Sequence, residues 1–176
     1  VTDQQDAYER FIRPIEDQMI RSVWRIIRNS DDVDDAFQDA LARIWKRWDR
    51  IQRHSNPRAL ILRICINAAY DSLRRKARDR KIEALEAVGE MISAGPSESP
   101  DPFAADERKA ALCTAISRLP KNQGLAVHMR FIEELPYEAI AQALGCREVS
   151  ARKHVSRALS KLQMILPQQT GRISIS

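Results

Sequence analysis

Residues 135–162, LPYEAIAQALGCREVSARKHVSRALSKL, combine basic side chains with the spacing of a nucleic-acid-reading motif. The pattern predicts a helix, a tight turn at Gly145, and a second helix with a basic outer face. Ala141 is small where two helices must cross closely, and Ile140, Leu144 and Val155 suit the angle between them. This is the helix-turn-helix arrangement, whose second helix enters a DNA major groove. Near the start of that helix, Arg147, Glu148, Ser150, Arg152 and Lys153 are placed for base edges or phosphates. Arg157 and Lys161 lie further along, where phosphate contact is expected. An ordinary helical hairpin with a solvated basic face shares the periodicity, so the assignment rests on the Ala–Gly spacing taken with the charge.

A second constellation occupies residues 59–81, ALILRICINAAYDSLRRKARDRK. Asn67 and Asp71 are four apart and share a helix face, and Arg63, Arg74, Arg75 and Arg78 follow close to it. The preceding loop brings His54, Ser55 and Asn56. Such a surface suits a single strand: arginines meet phosphates, and the loop reads an unstacked base on its edge. The competing reading is that Asn67 and Asp71 hydrogen-bond within a bundle. The third constellation, residues 31–48, DDVDDAFQDALARIWKRW, is an acidic helix with an aromatic end. Its Asp32, Asp35, Gln38, Asp39 and Arg43 suit a basic helical surface of a partner protein. Aspartates at a helix start also arise from dipole chemistry alone. No phosphate-cradling glycine loop, no metal-ligand cluster and no nucleophile beside a base is present, so neither catalysis nor a cofactor or metal is expected.

These constellations require helices to position them. Tyr8, Phe11, Ile12, Ile15, Met19, Val23 and Ile26 or Ile27 recur at helical spacing, predicting one amphipathic helix that Asn29 and Ser30 interrupt. Ser30 or Asp31 is expected to cap the next helix, with a stripe of Val33, Phe37, Leu41, Ile44, Trp45 and Trp48. Pro57 suits the first turn of a third helix capped by Asn56 or Ser55, with Leu60, Ile61, Ile64, Cys65, Ala68 and Leu73 on its apolar face. Residues 89–105, rich in Gly, Ser and Pro, read as a linker. Beyond it, Ala110–Leu119, Gln123–Ile132, Tyr137–Leu144 and Val149–Leu162 make four shorter helices. The expected architecture is all-α: two small bundles, at 1–82 and 105–166, joined by a flexible linker at 83–104, with a disordered tail at 167–176.

The chain has 176 residues, with 29 Lys and Arg against 24 Asp and Glu. Residues 1–80 hold 17 basic and 13 acidic side chains, residues 81–120 hold 4 and 7, and residues 121–176 hold 8 and 4. Two basic ends flanking an acidic middle suit a polyanion and a basic protein as partners. No apolar run approaches the ~20 residues of a membrane span, and no basic-then-apolar leader opens the sequence. Three cysteines, 48 and 33 residues apart, make neither a disulfide framework nor a zinc site, as in a cytoplasmic protein.

Taken in order, these motifs resemble a bacterial RNA polymerase sigma factor of the extracytoplasmic-function (ECF) group of the sigma-70 family. DDVDDAFQDALARIW is similar to the core-binding helix of region 2, and LILRICINAAYDSLRR to its promoter-melting and −10-recognition helix. LPKNQGLAVHMRF, LPYEAIAQALG and RKHVSRA are similar to the −35-binding region 4. The resemblance implies −10 contacts from His54, Ser55, Asn56, Arg63, Asn67, Asp71, Arg74, Arg75 and Arg78. It implies −35 contacts from Arg147, Glu148, Ser150, Arg152, Lys153 and Arg157. Polymerase contact is implied for Asp32, Asp35, Gln38, Asp39 and Arg43. The implied partners are core RNA polymerase (its β′ clamp and β flap), promoter DNA and an anti-sigma factor, without membrane insertion. A sigma-like decoy and a conventional helix-turn-helix regulator are the alternatives.

Overall fold

Pro14 divides the first helical stretch. Lacking an N–H and crowding the preceding turn, it cannot continue a regular ladder. The computed structural model, which describes residues 2–86 and 102–166, shows α1 (Thr2–Ala7), a π turn (Tyr8–Ile12), a 3₁₀ turn (Arg13–Ile15) and α2 (Glu16–Ile27). The single helix expected here is therefore broken, yet Ile12, Ile15, Met19, Val23 and Ile26 still reach the core. α2 ends at Arg28 in the left-handed region, and Asn29 then caps α3 (Ser30–Lys46) by accepting from the Asp32 N–H. Neither Ser30 nor Asp31 is the cap. Asn29 alone has both the extended backbone and an acceptor at the right distance.

The tryptophan end also departs from expectation. α3 stops at Lys46, and a short α4 (Trp48–Gln52) carries Trp48, whose ring meets Trp45 at 5.1 Å and Phe11 at 5.3 Å. Asn56 caps α5 (Pro57–Glu86) through the Ala59 N–H. α5 has 30 residues and spans about 45 Å. Its first half is apolar on nearly every side: besides the predicted face, Leu62, Ile66, Ala69 and Tyr70 are buried. A helix of that kind must be covered all round. α2 and α3 cover one side, and the second bundle covers much of the rest.

That bundle comprises α6 (Pro102–Ser117), α7 (Lys121–Phe131), α8 (Tyr137–Leu144) and α9 (Glu148–Ile165). Gly124 lets α7 approach α6: a Cβ there would sit 3.1 Å from the Ile116 carbonyl oxygen. Gly145, at φ 68°, ends α8 as predicted, with the Cys146 N–H bonded to the Ala141 carbonyl at 3.0 Å. Residues 83–86 and 102–104, expected within the linker, are helical. The rest of that linker and the expected tail lie outside the described residues. Among the described residues there is no strand, and no helix is long and apolar enough to cross a membrane.

Candidate nucleic-acid interface

The turn between α8 and α9 is held by apolar packing. Ile140, Ala141, Ala143, Ala151, Val155, Ala158 and Leu162 are buried, which leaves the opposite face of α9 to solvent. Arg147 stands at its N-cap, and Glu148, Arg152, Lys153 and Arg157 are exposed, with Ser150 half-buried. Val149 is also exposed, an apolar side chain among these polar ones. Arg152 donates to Glu148 at 2.5 Å, and its guanidinium lies 4.3 Å from the centre of the Tyr137 ring. Arg130 stacks on the same ring at 4.8 Å and donates to the Leu135 carbonyl. Tyr137 thus links two arginines and sets the direction of one of them. Sequence reading used Tyr137 only as a helix start; the arginine on the following helix was the available signal.

The turn from α4 to α5 runs through Arg53, His54, Ser55 and Asn56. Ile51, fully buried, anchors it, and an open depression is lined by Asp49, Arg50, Arg53, His54 and Ser55. His54 Nδ1 accepts from the Asn56 N–H at 3.0 Å, which orients the imidazole. The neighbouring side chains face protein. Asn56 Nδ2 donates to Gln142 Oε1 at 3.0 Å, Arg63 donates to the Ala143 carbonyl at 3.0 Å, and Arg74 Nε donates to the Ser117 carbonyl at 2.8 Å. Burial, with Arg47 and Arg50 nearby, pulls the Arg63 pKa below the ordinary arginine value. Asn67 donates to Asp71, which also accepts from Arg74 and, at 2.9 Å, from Arg43 of α3. Of the nine residues expected to meet a strand, Ser55, Arg75 and Arg78 lie apart from these contacts, and His54 bonds within its own turn. In this conformation Asn56, Arg63 and Arg74 are engaged by the second bundle, and Asn67 and Asp71 by their own.

On the acidic helix, Asp35 and Gln38 are exposed. Asp32 pairs with Lys76, and Asp39 pairs with Arg43 at 2.7 Å. Burial opposes the Arg43 charge, but hydrogen bonding to Asp71 and the charge of Asp39 hold its pKa above the ordinary value. The helix expected to meet a partner is thereby tied to the helix expected to meet DNA. Sequence reading missed a further set: Gln18, Ser22 and Arg25 of α2 converge on Glu133, beside His128 and Tyr70. The contacts from α2 to Glu133 and from Tyr70 to His128 join positions more than fifty residues apart, so no local spacing announces them.

Comparison with known proteins gives these features a context. The family description Sigma-70 region 2 matches residues 11–79, and Sigma-70, region 4 matches residues 109–162. Over 156 residues the chain is 29% identical to the RNA polymerase sigma-E factor of Streptomyces coelicolor, covering 89% of this chain and 84% of that protein. It is 28% identical over 160 residues to the ECF RNA polymerase sigma factor SigM of Mycobacterium tuberculosis, covering 91% of this chain and 77% of that one. The sigma factor RpoE of Bartonella quintana, solved with the anti-sigma factor NepR, shares the fold. It has a TM-score of 0.53 at 22% identity, covering 97% of this chain and 100% of that one. A region 2 bundle followed along the chain by a helix-turn-helix region 4 bundle defines a transcription initiation factor of the sigma class. The chain belongs to the sigma-70 family, in its ECF group.

Proposed function

We propose that this chain binds core RNA polymerase, at the β′ clamp through the exposed acidic face of α3 and at the β flap through its second bundle, and directs it to particular promoters. Residues 1–82 serve as the core-binding and −10 module and residues 105–166 as the −35 module. α9 reads duplex DNA at −35 with Arg147, Glu148, Ser150, Arg152, Lys153 and Arg157. The turn from α4 to α5 takes a flipped −10 base, while Arg63, Asn67, Asp71, Arg74, Arg75 and Arg78 hold the melted strand. No covalent step is involved: a base bound in the depression offsets an unstacking cost of a few kcal/mol and shifts the duplex toward the open state. The observation that carries this reading is the exposed basic start of α9, Arg147 to Lys153, on a helix-turn-helix whose packing leaves it free. Restraint by an anti-sigma factor in the cytoplasm completes the proposal, supported by the NepR complex of the Bartonella protein.

The docked arrangement adds a requirement. Asn56, Arg63 and Arg74 meet DNA only after the second bundle moves away, so promoter binding is expected to be weak until polymerase holds the bundles apart. Promoter-fragment retention with and without core enzyme tests this. Retention only with core is the predicted result. Retention of duplex by the chain alone would instead identify a conventional helix-turn-helix regulator. Capture of an anti-sigma factor without any polymerase complex would identify a decoy.

A further inference from the structure

At the centre of the docked face lies a polar cluster that promoter recognition does not use. His128, on α7, has no exposed surface. Its Nδ1 lies 2.7 Å from the Tyr70 hydroxyl of α5, with the two rings edge to face. Its Nε2 faces the Glu133 carboxylate at 3.4 Å, too poorly aligned for a hydrogen bond. The Glu133 side chain, only 1% exposed, accepts from Ser22 at 2.7 Å and from Arg25 at 3.3 Å. Ser22 and Arg25 sit on α2 and Tyr70 on α5, so one network closes across both bundles.

The proton positions follow from these partners. Burial keeps the Tyr70 phenol protonated, with its pKa pushed well above the ordinary value. The Glu133 carboxylate, an acceptor only, draws the single imidazole proton to Nε2, and the protonated Tyr70 hydroxyl then donates to Nδ1. A second proton can enter only at Nδ1, where it would break the bond that Tyr70 donates, and it would create a cation away from solvent. The other groups around the ring do not reverse this. Glu133 favours a cation, but Arg25 opposes one. Cys113 of α6 and Cys65 of α5 are buried thiols with raised pKa values, Cys65 at about 12, and so remain neutral. Arg74, beside Tyr70, and Arg28, near Cys113, add positive charge. Burial prevails over the pull of Glu133, and the His128 pKa falls below its ordinary value.

We propose that His128 is a proton-operated catch: the docked form admits only the neutral imidazole, so a proton taken up by His128 releases the second bundle from α5 and uncovers Asn56, Arg63 and Arg74. The sign is fixed by proton counting. The docked form binds fewer protons, so its population relative to the released form falls with acidification, and the advantage is fully present above the released histidine's pKa of about 6.5. The ratio falls up to about tenfold per pH unit below that value. Glu133, opposed by its own burial but held by the facing His128 ring, the Ser22 hydroxyl and Arg25, has its carboxyl at about 2 and does not titrate in the docked form in this range. The consequence for DNA rests on the proposed −10 role of α5. The docking itself is measured without DNA or polymerase, so the two fail separately.

Small-angle scattering of the full chain between pH 8 and pH 5, with helicity followed by circular dichroism, tests the catch. The radius of gyration is expected to rise as pH falls while helicity is kept. His128→Gln removes the titration and is expected to stay docked throughout. The double variant His54→Gln with His154→Gln is expected to keep the response. Tyr70→Phe lets Nδ1 take a proton in the docked form and is expected to flatten the dependence of docking on pH, a readout that stands even where His128→Gln does not fold. A constant radius in the unaltered chain, a response that survives in folded His128→Gln, or an undiminished pH dependence in Tyr70→Phe would each overturn the proposal.

Discussion

Arg152 shows how much of DNA reading is settled before DNA arrives. Held by Glu148 and by the Tyr137 face, it starts from a narrow set of orientations and loses less freedom on binding. Arg152→Ala combined with Lys153→Ala is expected to reduce −35-dependent transcription and to lower the slope of log affinity against log salt by about 2, one counterion per lost phosphate contact. An unchanged slope would remove that face from the interface. Tyr137→Leu is expected to weaken duplex affinity about two- to fivefold, from a cation–π contribution of about 0.5–1 kcal/mol, whereas Tyr137→Phe keeps it. Competition binding to a −35 duplex separates the two variants. For the first bundle, Arg74→Ala with Arg75→Ala is expected to impair promoter opening more than polymerase binding. Permanganate reactivity of −10 thymines reads the opening, and reactivity equal to that of the unaltered chain would contradict the role.

The helices themselves depend on a few backbone positions. Gly145→Ala places a Cβ in open space but at φ 68°, so its cost is conformational, about 1 kcal/mol; Gly145→Asn costs less because asparagine tolerates that region. Gly124→Ala fails differently. The added Cβ meets the Ile116 carbonyl, whose position is fixed by its bond to the Leu119 N–H, and this outweighs the helix propensity gained. Urea denaturation is expected to show both alanine variants less stable, with Gly145→Asn between Gly145→Ala and the unaltered chain. The same features explain what could be read from the residues alone. The turn at Gly145 and the cap at Asn56 are local chemistry, visible within four residues. Pro14 was equally local, but the apolar stripe continues across it and concealed the break. On α5, choosing one face overlooked Leu62, Ile66, Ala69 and Tyr70, whose burial on the other sides marked a second packing surface. The convergence of Ser22, Arg25 and Tyr70 on His128 and Glu133 had no sequence signal, because the chain positions involved are far apart.

At the scale of the molecule, the two basic ends are brought together rather than held at a distance. Region 4 lies on the helix through which region 2 is proposed to meet the promoter, and Asp71 joins that helix to Arg43 on the acidic helix. Binding of polymerase to α3 and opening of the −10 surface are therefore expected to be coupled, each favouring the separated form. The promoter-directing role is tested most directly by transcription in vitro, with purified core polymerase, this chain and a library of promoter fragments. The predicted result is initiation at a defined subset of fragments that share a −35 and a −10 element at fixed spacing, absent when the chain is omitted. Failure to associate with core enzyme, or start sites no different from those of core alone, would contradict it.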